Sequence, residues 1–89
     1  MTNKMIYIKR TKPLPTKPIK DKAIVEQSVM ENLNLAVEAK GLYSYIQGEI
    51  TEKNSAYLDI KKTCKEMVLS EIEFYKYLKE LVDEDIYAI

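Results

Sequence analysis

At 89 residues the chain is sized for one small domain with a modest core, and 46% hydrophobic with 31% charged residues is an ordinary soluble globular balance. No apolar run approaches the length of a membrane span and no signal-peptide core is present, so a cytoplasmic protein without membrane contact is expected. With no histidine, a lone Cys64 and no glycine-rich phosphate loop, an internal disulfide, the usual zinc sites and the common catalytic constellations are excluded; no enzyme activity and no cofactor are expected.

The net charge of zero conceals a separation along the chain. Residues 1–22 hold seven basic side chains against Asp21 alone, a charge of +6, and residues 23–89 carry the balancing −6. A basic arm on an acidic body points to nucleic acid or another acidic surface as partner. The domain reading follows: a basic N-terminal strand and Pro-containing arm over 1–22, and a folded domain over 23–89.

In KMIYIKR, residues 4–10, Ile6 and Ile8 alternate with Met5, Tyr7 and Lys9, the period of a strand. Pro13, Pro15 and Pro18 then make residues 11–20 an extended connector. AIVEQ, residues 23–27, fits either a short strand or the start of a helix. Leu35, Ala39, Leu42 and Ile46 predict a helix over 35–47, with Gly41 inside it; such a glycine is usually explained by close approach of another element. Residues 48–56 read as a loop, followed by a very short strand around Tyr57 and Leu58. A helix over 59–67 turns Ile60, Cys64 and Met67 inward and Lys61, Lys62 and Lys65 outward. Cys64 accordingly reads as a small core residue. Ser70 with Glu73 forms an S-x-x-E capping box, and Phe74, Tyr77, Leu78 and Leu81 mark the buried face of a last helix ending near Asp83. Asp85 is the expected terminator and IYAI a closing strand.

LNLAVEAKGLYSYI and LDIKKTCKEMVLSEIEFYKYLKELVDEDIYAI together resemble the winged helix-turn-helix DNA-binding domains of Gram-positive plasmid and phage proteins, of the replication-initiation or conjugative relaxosome accessory type. The likeness covers residues 33–89 and is most specific at Ala39–Tyr43 and Leu78–Leu81. It implies a mainly α fold with a small β component. Three departures stand out. Val68 occupies the turn where the family commonly has glycine, so a distorted or lengthened turn is expected; Asp85 replaces a second glycine; and the chain reaches Ile89 before the returning strand of a normal wing. The N-terminal strand is expected to complete that truncated wing, residues 5–9 pairing with 86–89 within one chain or between two.

In the docking that the resemblance implies, Glu71, Ile72, Tyr75 and Lys76 face the groove. Phosphates repel carboxylates, so Glu73 reads as a cap and Glu71 as a complement to the helix dipole. DNA contact is then assigned to Lys4, Lys9, Arg10, Lys12, Lys17, Lys20 and Lys22 of the arm, with Lys61, Lys62, Lys65, Lys76 and Lys79. Ile6, Ile8, Ile72 and Tyr75 are candidates for a homodimer or partner interface. Tyr43, Tyr45 and Tyr77 read as core or interface residues; Tyr7, Tyr57 and Tyr75 stay open between structural and base-stacking roles, their spacing forming no recognisable platform. The expected function is that of an accessory protein binding double-stranded DNA, within a larger nucleoprotein complex, in transfer, replication or transcriptional control. The alternative is an adaptor or inhibitor that keeps the helix-turn-helix frame without binding DNA.

Overall fold

The computed structural model describes residues 4–11, 27–50 and 53–89. In chain order these form β1 (Met5–Arg10), α1 (Gln27–Met30), α2 (Val37–Glu49), β2 (Ser55–Asp59), α3 (Ile60–Met67), α4 (Glu71–Asp83) and β3 (Tyr87–Ala88). The described residues thus make an α/β arrangement of four helices and one three-stranded antiparallel sheet in the order β2-β1-β3. No helix among them is long and apolar enough to cross a membrane.

The N-terminal strand is the centre of that sheet. Its pairing with the C-terminus within one chain is present but short: Lys9 faces Ala88 and Arg10 faces Tyr87, and the Thr11 amide donates to the Ile86 carbonyl at 3.2 Å. Its main partner is β2, from Met5 opposite Asp59 to Lys9 opposite Ser55. β2 is therefore longer than the short strand expected at Tyr57 and Leu58, and it claims Ser55 and Ala56 from the expected loop. Residues 5–10 belong to the domain rather than to a separate arm. The continuation through 12–26, with most of AIVEQ, lies outside the described residues.

The core lies between the inner face of the sheet and the helices. Ile8, Leu58 and Tyr87 meet Leu42, Tyr43 and Ile46 of α2 and Phe74, Tyr77, Leu78 and Leu81 of α4, all buried, with Ile60 and Cys64 closing the α3 side. Burial pushes the Cys64 thiol above its ordinary pKa, with Glu71 adding to the shift. The helix expected over 35–47 runs from Val37 to Glu49. Its start is fixed from outside: Ala36 carries no side-chain cap, and its amide donates to Glu80 Oε1 of α4 at 2.9 Å. Gly41 is not forced by crowding, because a Cβ there would stand 3.5 Å from Met67 Cε, an ordinary contact.

The turn between α3 and α4 corrects the expectation drawn from Val68. It is neither lengthened nor distorted: Val68 itself takes the left-handed conformation, φ 57 and ψ 49. The Leu69 amide reaches Cys64 O at 2.9 Å and the Val68 amide reaches Lys65 O at 3.4 Å, the paired bonds of a Schellman cap. Half-buried Leu69 packs against the core and anchors the exit, while the Val68 side chain is left in solvent. α4 ends the same way around Asp85, φ 59, with Ile86 N bonded to Leu81 O and Asp85 N to Val82 O, both at 3.0 Å. Here the expected terminator stands in the expected place.

Candidate nucleic-acid interface

α3 and α4 are joined by the three residues Val68, Leu69 and Ser70, a helix-turn-helix spacing. Asp59 caps α3, its Oδ1 accepting from the Lys62 amide at 3.1 Å. Ile60, Thr63 and Cys64 are the buried residues of this helix, so Lys61, Lys62 and Lys65 project from the opposite side. None of the three forms an ion pair among the described residues. The Ile60 amide also donates to the Lys4 carbonyl at 2.9 Å, which brings the first described residue of the chain beside the start of α3.

On α4, Phe74, Tyr77, Leu78 and Leu81 turn inward, leaving Ile72, Tyr75, Lys76 and Lys79 in solvent. Lys76 Nζ lies 5.6 Å from the centroid of the Tyr77 ring. The two acids at the head of this helix are both engaged. Ser70 Oγ accepts from the Glu73 amide at 3.1 Å and the Ser70 amide donates to Glu73 Oε1 at 3.0 Å, the capping box read from the sequence. The backbone bond from Ser70, followed by that from its hydroxyl, holds the Glu73 carboxyl below its ordinary pKa. Glu71 stands 3.5 Å from Lys4 Nζ, an exposed pair of small energetic weight.

Other acids of the body serve as local acceptors. Glu80 takes the Ala36 amide, Glu84 takes the Asn32 side chain at 2.9 Å, and Glu66 accepts from the Tyr45 hydroxyl at 2.7 Å. Burial and this Glu66 contact raise the Tyr45 pKa. The −6 charge of residues 23–89 is thus partly a set of structural hydrogen-bond acceptors.

Three sequence-derived assignments change. Arg10 is not a surface contact: it is 6% exposed, and its Nη1 donates to Gln47 Oε1 at 3.0 Å, an oxygen that also accepts from the buried Tyr87 hydroxyl at 2.5 Å. The strand's alternation turns residue 10 to the same side as Ile8, where charge alone gave no warning. Ile6 and Ile8 are not free for a dimer interface, because Ile8 is fully buried in the chain's own core and Ile6 packs against it. Lys4 has Glu71 as a neighbour, whereas Lys9 is exposed on the outer face of the sheet. Lys12, Lys17, Lys20 and Lys22 lie outside the described residues.

One arrangement escaped the sequence reading. The β1/β2 register sets Tyr7 opposite Tyr57, with ring centroids 4.9 Å apart. Alternation in KMIYIKR already placed Tyr7 away from Ile6 and Ile8, but nothing local identifies the partner strand.

Comparison of the chain with protein-family models, with curated proteins and with solved structures gave no match.

Proposed function

We propose that the chain binds double-stranded DNA through a helix-turn-helix made of α3 and α4, the three-stranded sheet standing where a winged helix carries its wing. The observation that carries this reading is the exposed, ion-pair-free face of Lys61, Lys62 and Lys65 on the first helix of a helix–three-residue turn–helix unit. Lys76 and Lys79 extend the basic surface along α4. Phosphate contacts set affinity and register, and with the one arginine of this set buried, bidentate reading of guanine is not expected from it. The role as an accessory protein of a plasmid or phage nucleoprotein complex follows from the sequence resemblance.

A second reading has its own observation. Val68, Ile72 and Tyr75 are 89%, 82% and 47% exposed at the turn and the head of α4, an apolar group suited to a protein partner. Fluorescence anisotropy of a mixed-sequence duplex across a salt series separates the two. Removing residues 1–22 as a block would also remove β1, so the arm is tested by substitution to Gln at Lys12, Lys17, Lys20 and Lys22. Each lysine withdrawn from a phosphate should lower the salt slope by about 0.9. For Lys61, Lys62 and Lys65 changed together to Gln, the expected drop is about 2–3. A duplex affinity indifferent both to salt and to these changes would give the protein-partner reading the ground.

A further inference from the structure

The outer face of the sheet is built differently from a solvated surface. Tyr7 and Tyr57 stand directly across from one another there, their planes inclined at 51°, yet they remain 41% and 67% exposed. Met5, 54% exposed, and the exposed Lys9 flank Tyr7 on the same face, and exposed Ala88 lies opposite Lys9. Asp59, the acid set across from Met5, has its carboxylate on the Lys62 amide as the cap of α3. The face therefore presents two open rings with a lysine at one side.

We infer that this face is a stacking platform for the unpaired bases of a single-stranded nucleic acid, Tyr7 and Tyr57 carrying the bases and Lys9 meeting a phosphate. Every base offers a π-face to an exposed aromatic ring, and a neighbouring cation holds the backbone. A duplex fits poorly here, since its bases are already stacked on one another. A second copy of the chain also fits poorly. Two tyrosines and a methionine at these exposures offer on the order of 300 Å², less than half of the roughly 800 Å² per partner in a standard interface. The platform adjoins α3, whose Lys62 lines one cavity with Met5 and Tyr57, but its stacking role rests on the two rings and does not depend on the duplex reading.

The test uses the whole chain and a fluorescein-labelled oligothymidylate of about 12 nucleotides, within the usual span of such sites. Tyr57→Ala and Tyr7→Ala should each weaken binding about tenfold or more, with far-UV circular dichroism confirming the fold and duplex affinity unchanged. The chain has no tryptophan, so Tyr57→Trp supplies a single reporter whose emission should be quenched by the oligonucleotide at near wild-type affinity. Should the alanine variants fail to fold, that quenching decides the matter alone. The inference is overturned by a wild-type chain that does not bind the oligonucleotide, by affinity indifferent to both tyrosines, or by an unquenched tryptophan. A dimer seen by sedimentation that Tyr57→Ala dissolves would assign the face to a second copy instead.

Discussion

Replacing Val68 by glycine should stabilise this protein. The residue holds φ 57 and ψ 49, where the Cβ of an L-residue crowds the next carbonyl at about 1–2 kcal/mol. Its side chain is 89% exposed, so removing it sacrifices little packing. Glycine also loosens the unfolded chain, which offsets about 0.4–1 kcal/mol of the relief. The net gain is about 0.5–1 kcal/mol, equivalent to a rise of about 2–8 °C in Tm for a two-state domain of this size. Thermal unfolding followed by circular dichroism, with a urea titration at unchanged m-value, would measure it. Val68→Ala keeps a Cβ and should recover only part of the gain. If Val68→Gly lowered both Tm and the urea midpoint, Val68 would not be held left-handed, and the account of the α3–α4 turn would fall with it.

Arg10 and Lys9 are adjacent in sequence but opposite in environment, so their truncations should diverge. Arg10→Ala removes a charged donor from buried Gln47 and should cost about 2–3 kcal/mol in urea unfolding, while Lys9→Ala should stay within about 0.5 kcal/mol; equal costs would contradict the burial of Arg10. The Glu73 carboxyl, held low by Ser70, binds a proton less readily folded than unfolded. Its contribution is thus complete above the unfolded glutamate value near pH 4.3 and is lost as pH falls through the lower folded value. Glu73→Gln should therefore trail the wild type in Tm at pH 7 and converge with it under acid, whereas a gap that stayed constant from pH 7 to pH 3 would show that the charge plays no part in the cap.

The sequence by itself determined what depends on neighbours in the chain. Ser70 and Glu73 lie one helical turn apart, so their capping box needs no tertiary partner. The inward faces of α3 and α4, the solvent side of Lys61, Lys62 and Lys65, and the stop at Asp85 follow from a period of 3.6 and from local backbone preference. Tertiary structure decided what depends on residues far apart. The pairing of β1 with β2 joins segments some fifty residues distant and alone makes a ring pair of Tyr7 and Tyr57. Arg10 became a core residue because Gln47 arrives from α2 to receive it, its Oε1 also accepting from the Tyr87 hydroxyl of β3. Val68 could be read as unfavourable in a left-handed turn, yet whether the turn would yield or the residue would bear the strain was settled by Leu69 packing against the core and by the bonds back to Cys64 and Lys65. Local preferences of about 1 kcal/mol shape the elements, but the burial of Leu69, Phe74 and their neighbours outweighs them where the two conflict.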